Sequence, residues 1–191
     1  MPAQKKLTLL IGLVALALVV VVAGQSSFTV AQVEAIDAAS AEEQQRLKEV
    51  FPGADVFSAK GGKKPHYRAY ATDPKTSVNT LLGFVFMTHE VEPEEWAYSS
   101  EIEALVGMTT EGVITKIKMV DHYEPFGYFS IDPTEFVDQF EGKSILDPFE
   151  EGRDIDTVTR ATITIEGAAR VIRKSARQIA RQHLAEQKTT P

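Results

Sequence analysis

The sequence predicts an α+β domain, a twisted and mainly antiparallel sheet with packed helices, preceded by one N-terminal transmembrane helix. Three observations predict it. Leu7 to Gly24 is a run of eighteen uncharged, mostly aliphatic positions. Residues 101–120 read as EIEALVGM, a TTEG turn, and VITKIKMV, in which apolar and polar residues alternate as in a hairpin. From about Thr164 to Gln187, the residues Ile165, Ala169, Ile172, Ala176 and Ile179 recur at three- and four-residue spacing, which puts one apolar stripe on a long helix.

At ~1.5 Å per residue the N-terminal run spans about 27 Å, close to the hydrocarbon thickness of a bilayer. Lys5 and Lys6 precede it and predict a cytoplasmic N-terminus with the rest of the chain facing outward. The competing reading is a cleaved signal peptide, with Val21 and Ala23 at a small-residue cleavage site. Either reading places the folded domain outside the cytoplasm; the anchor reading makes the chain single-pass in the inner membrane, with its C-terminal domain facing the periplasm or cell exterior. The expected division is an anchor over 1–25, a linker and short helix over 26–50, the folded domain over 51–187 and a tail over 188–191.

Within the domain, Ser40 and Glu43 form a capping box that predicts a short helix to about Val50, ended by Phe51-Pro52-Gly53. A short strand near Asp55–Ser58 and another over Tyr67–Thr72 flank an exposed Lys/Gly loop. Leu81 to Thr88 reads as a buried strand, and Glu90 to Glu95 as an acidic loop. Asp132-Pro133-Thr134-Glu135 predicts a helix start with Asp at the cap and Pro at the first helical position. That helix carries Phe136, Val137 and Phe140 and stops at Gly142.

Composition narrows the chemistry. The 191 residues include no cysteine, which removes disulfides, thiol catalysis, Cys-ligated clusters and a lipid-modified cysteine. A net charge of −7 argues against nucleic-acid binding. No nucleophile–base pair is legible, so no catalytic residue is assigned. His89, Glu90 and Glu92 are the one metal-like grouping, and nothing in the sequence completes a site.

The informative stretch is Asp156-Thr157-Val158-Thr159-Arg160-Ala161-Thr162-Ile163-Thr164. It is rich in hydroxyls and leads into the long helix. A helix start has unpaired N–H groups and a partial positive charge, which stabilise a phosphate. From physics alone, the same residues also read as a plain Thr-rich helix cap.

Asp156, Thr159, Ala161 and Thr162 match the pattern Asp-x-x-(Ser/Thr)-Gly-Ala-Thr of the FMN-binding domain family. That family includes the NqrC and RnfG subunits of membrane redox pumps and the periplasmic domain of NosR-type proteins. Phe51-Pro52-Gly53-Ala54-Asp55, Leu82 to Thr88, the 101–114 hairpin and Phe136 to Lys143 resemble further family segments in the right order. His122-Tyr123-Glu124-Pro125 is similar to the family's His-x-Glu segment and most resembles its NosR branch. The resemblance thus covers roughly Phe51 to Gln182.

The resemblance implies FMN bound covalently, its phosphate joined to the last Thr of the motif, here Thr162, by a dedicated flavin transferase. It implies an electron-transfer flavoprotein with redox partner proteins, or other subunits of a membrane complex, on either side. Asp156, Thr159, Arg160, Ala161 and Thr164 are the expected companions of Thr162. Trp96, Tyr98, Phe126 and Tyr128 are candidate walls for the isoalloxazine ring, and are equally ordinary packing residues. His122 and Glu124 read either as ring-edge contacts or as a polar pair at the hairpin end. Two departures stand out: Arg160 replaces the pattern's Gly, and Glu124-Pro125-Phe126-Gly127 replaces Glu-Thr-Pro-Gly. Arg160 either strains the backbone or pairs with the flavin phosphate. The rival reading is a flavin-free structural or regulatory subunit of a membrane complex.

Overall fold

The Ser40 hydroxyl accepts from the Glu43 N–H and the Glu43 carboxylate reaches back to the Ser40 N–H, so the capping box nucleates α1 (Ala41–Lys48) as the sequence predicts. The structure, a computed structural model, describes residues 36–189 and their side chains as far as residue 187. The apolar run read as a membrane anchor lies outside the described residues. Among the described residues no helix is long and apolar enough to cross a membrane.

Five strands follow: β1 (Val56–Phe57), β2 (Tyr67–Thr72), β3 (Asn79–Met87), β4 (Ile102–Thr109) and β5 (Ile114–His122). They pair in sequence order, every pair antiparallel, so the sheet is a simple meander. The fold is α+β, with the expected antiparallel sheet and packed helices. The 101–120 hairpin forms as β4 and β5, with Val106 opposite Ile117.

Alternation along the central strands sends side chains to two cores. Phe84 and Phe86 of β3, with Ala104, Val106 and Met108 of β4, pack with the stripe of α5 (Thr162–Thr189). Every member of the predicted stripe is fully buried: Ile165, Ala169, Ile172, Ala176 and Ile179. Val85 and Met87, with Leu105, turn the other way onto Leu47, Val50, Phe51 and Phe57. α1 is thus a covering layer on the second sheet face.

Three short helices complete the fold: α2 (Thr88–Val91), α3 (Gly127–Ser130) and α4 (Thr134–Asp138). α2 takes the first two residues of the predicted 90–95 loop. α4 buries Phe136 and Val137 as expected, and Gly142 at φ 78° ends the segment. Its cap differs from the prediction. Pro133 occupies the cap position with no side-chain hydrogen bond. Asp132 turns instead to His122, its Oδ1 lying 2.7 Å from Nε2.

Four basic residues of α5 bind neighbouring segments. Arg170 and Lys174 both hold Glu95, Arg173 binds the Pro148 carbonyl, and Arg177 donates to the carbonyls of Ile145 (2.7 Å) and Asp147 (3.1 Å). They tie the loops at 95 and at 145–150 to the helix.

Candidate functional site

α5 begins at Thr162, two residues before the predicted start, which puts Thr162, Ile163 and Thr164 in its first turn. The Ala161 N–H is bound to the Val158 carbonyl, and the Ala161 carbonyl accepts from Ile165. Among the described residues, no acceptor meets the N–H groups of Thr162, Ile163 and Thr164. They form an anion-attracting helix start.

This helix start opens into a cleft of about 310 Å³ lined by Tyr98, Phe126 and residues 160–164. The Thr162 side chain is exposed beside it, and its hydroxyl has no partner among the described residues. Tyr98 and Phe126 are 58% and 41% exposed, open aromatic faces at the cleft rather than core residues. Arg160 lines the same cleft, exposed, with no ion pair among the described residues. Its φ is 73°, the left-handed region that glycine occupies freely and a β-carbon makes costly. Ala161 is buried behind it. Asp156 and Thr159 precede the cleft, exposed, and are not part of its lining.

Glu124 organises the surroundings. It is 6% exposed, and both carboxylate oxygens are engaged. Oε1 accepts from the N–H groups of Ser99 (2.8 Å) and Ser100 (3.0 Å). Oε2 accepts from the Thr164 hydroxyl (2.6 Å) and the Tyr98 N–H (3.3 Å). Burial pushes this carboxyl up, but the Thr164 hydroxyl and the three backbone donors outweigh it and hold it below its ordinary range. Neither solvent nor a free ring edge claims Glu124. It locks the 98–100 segment to the first turn of α5, and the buried Thr164 hydroxyl is committed to it.

His122 is locked as well. Nδ1 accepts from the Glu124 N–H at 3.1 Å, so Nε2 carries the proton and donates to Asp132. The ring lies so close to Gly127 that a β-carbon there would meet Cε1 at 2.0 Å. A second close approach supports the other wall. A β-carbon on Gly167 would sit 2.5 Å from both Cα and Cβ of Ala97, and Arg170 donates to Glu95 and to the Trp96 carbonyl.

The structure therefore brings Arg160, Ala161, Thr162 and Thr164 to one cleft with Tyr98 and Phe126, and sets His122 and Glu124 behind it as supports. Trp96 lines a neighbouring cleft with Tyr123, and Tyr128 is 71% exposed against Phe129. Ile163, Gly127 and the Asp132–His122 pair were not legible as site features. Nothing in an isolated Asp-Pro distinguishes a helix cap from a histidine partner ten residues upstream. His89, Glu90 and Glu92 are drawn to separate partners, Glu103 at 3.6 Å, Lys60 at 2.7 Å and Lys64 at 4.0 Å.

Comparison with known proteins adds two findings. Residues 97–177 match the model of the FMN-binding domain family. Regulatory protein NosR of Stutzerimonas stutzeri is 28% identical over 151 residues, which cover 73% of this chain and 20% of that protein. The chain thus spans about a fifth of the length of the curated relative it matches. The resemblance read from the sequence holds over the stretch that carries Tyr98, Glu124 and Thr162, and it supports FMN as the ligand of this family of domains.

Proposed function

We propose that this chain is an electron-transfer flavoprotein in which FMN is joined through its phosphate to the Thr162 hydroxyl. The observation that carries this reading is the exposed Thr162 hydroxyl, unpartnered among the described residues, beside three unpaired N–H groups in an aromatic-walled cleft. Those donors and the Arg160 guanidinium oppose the charge of a phosphate. Tyr98 and Phe126 offer flat apolar surfaces to a planar ring. Glu124 keeps the Tyr98 segment and the helix start in fixed relation. The flavin supplies the redox chemistry, and the protein supplies attachment, orientation and surrounding charge.

In this reading residues 51–187 are the flavin domain, and the apolar run at 7–24 holds it at the outer face of the inner membrane, as an anchor or, alternatively, as a signal that delivers it there. A flavin transferase matures it, and separate redox proteins or complex subunits supply and remove electrons. The second reading, a flavin-free structural or regulatory subunit, is favoured by one observation: Arg160 sits at φ 73° in the pattern's Gly position and lines the same cleft as Thr162.

Intact mass after denaturation separates the two. Co-expressed with a flavin transferase that modifies a control domain, the chain gains one FMN less one water, localised to the Thr162 peptide. Thr162→Val keeps the same circular dichroism and loses the added mass. An unmodified wild-type chain beside a modified control domain would overturn the covalent link, and absence of flavin absorbance in the undenatured chain would then establish the flavin-free reading.

A further inference from the structure

The cleft at Thr162 has a neighbour. Trp96, Ser100, Tyr123 and His122 line a second cleft of about 230 Å³ together with Glu101, Glu103 and Asp121. The 98–100 segment walls both, Tyr98 on one side and Ser100 on the other. Across this face Trp96, Tyr98 and Tyr123 are 57%, 58% and 80% exposed. Scattered apolar residues on a surface need no explanation, but rigidly held aromatics grouped at a candidate site do. Their backbones are tied down. Glu124 fixes the backbone at 98–100, the Ser99 hydroxyl donates to the Tyr123 carbonyl, and Arg170 holds the Trp96 carbonyl.

The charged groups that line the second cleft, His122 aside, are all carboxylates. Glu103 stands opposite Asp121 across the β4–β5 ladder, and Glu101 opens the same edge. Like charges facing each other in a ladder destabilise a sheet slightly; Glu103 has His89 at 3.6 Å, whereas Glu101 and Asp121 have no ion-pair partner among the described residues and are open to an external one. Arg170 and Lys174, the nearby cations on α5, share Glu95, which offsets one of their two charges. An aromatic centre with a carboxylate flank is the complement of a protein surface carrying Lys and Arg, which stack on aromatic faces and pair with carboxylates. It is a poor complement for an anionic bilayer surface, which repels carboxylates.

We propose that this aromatic and acidic face, centred on Trp96 and Tyr123, docks a redox partner protein through a basic contact surface. The inference rests on the flavin reading for its purpose: the docked partner lies beside the Thr162 cleft. The geometry of docking itself requires no flavin.

Trp96 is the one tryptophan of the chain, so a single indole signal reports on the face. The test uses the full chain in detergent micelles, labelled with 15N-tryptophan, in its Thr162→Val form, titrated with a small basic c-type cytochrome as probe. The Trp96 signal shifts and saturates, with affinity falling roughly tenfold between about 20 and 200 mM salt. The triple variant E101Q/E103Q/D121N binds about tenfold more weakly. The charge-matched control E42Q/D73N/E111Q, altered in α1 and at the far end of the sheet, stays within about twofold of the parent.

Equal weakening in both variants would reduce the effect to the chain's overall charge and overturn the proposal. So would a Trp96 signal indifferent to the cytochrome. A Trp96 signal that moves only on transfer to bilayer nanodiscs would assign the face to the membrane surface instead. Because flavin content is read separately by mass, loss of the flavin reading and loss of the docking proposal are distinguishable results.

Discussion

Arg160 and Glu124 show how single residues shape the cleft from opposite directions. At φ 73° a side chain with a β-carbon costs about 1 kcal/mol relative to glycine, partly offset by the larger unfolded-state entropy of glycine. Arg160→Gly is therefore expected to stabilise the chain by about 0.5–1 kcal/mol in urea denaturation. Arg160→Ala, which removes the same charge but keeps the β-carbon, is expected to give no gain; equal gains in both would show that charge, not backbone, is the source. Glu124 works the other way. Replacing it with Ala leaves three backbone donors and the Thr164 hydroxyl without their acceptor, a loss of about 2–4 kcal/mol. Its carboxyl is held below the ordinary range, so its contribution is full above the unfolded value of about 4.3 and fades as pH falls through the lower folded value. The stability gap between wild type and Glu124→Gln should be widest near neutrality and shrink on acidification below about pH 4. A gap that widens in acid would mean that the folded carboxyl is raised instead.

The elements divide into those whose signal is local and those set by tertiary packing. Ser40 with Glu43, the β4–β5 alternation and the α5 stripe each carry their own period or cap, and each forms where the sequence places it. β2 matches its predicted span, and β3 extends the predicted strand N-terminally to Asn79. α2 and α3 have four residues each, too short for a period, and are held by packing, α2 on β3, β4 and α5, and α3 on α5. Asp132-Pro133 reads as a cap by type, yet a hydrogen bond to His122 captures the carboxylate. The candidate site was legible in the same measure: the motif contains Arg160, Ala161 and Thr162, which line the cleft, whereas the burial of Glu124 depends on a loop 24 residues upstream folding back onto it. That loop is held by α5, and Gly167 permits the approach. Gly167→Ala would ordinarily favour a helix by about 1 kcal/mol. Here its β-carbon meets Ala97 at 2.5 Å, so a net loss of about 1–3 kcal/mol is expected in chemical denaturation, partly recovered in G167A/A97G. A stabilised G167A would mean that the 95–100 segment is free to move away.

At the scale of the whole molecule, the family match and the folding unit have different extents. The match spans residues 97–177, which holds β4, β5, α3, α4 and most of α5. β4 is not an edge: β3 pairs along it from Gly83–Thr109 to Met87–Leu105. Phe84 and Phe86, both buried, come from that same strand and pack with the α5 stripe. Leu105 on the opposite face packs against a cluster made of α1, β1, β2 and β3 residues. A chain starting at Trp96 would expose one edge of β4, leave Leu105 uncovered and open the space filled by two phenylalanines. Losing a single buried Phe typically costs about 3–5 kcal/mol, and total stabilities are about 5–15 kcal/mol. Residues 96–191 alone are thus expected to lack a cooperative unfolding transition and dispersed amide signals, whereas residues 36–191 show both. The α1-side core is then as necessary to the Thr162 cleft as the motif. Leu47→Ala, remote from that cleft, should lower the midpoint of flavin-free unfolding by the equivalent of about 2–5 kcal/mol, while any mass gain that the proposed flavinylation gives the parent at low temperature stays unchanged. A fragment 96–191 that folds and takes up flavin unaided would show instead that the second sheet face is an accessory layer, and that the motif-bearing half is the unit on which the chemistry depends.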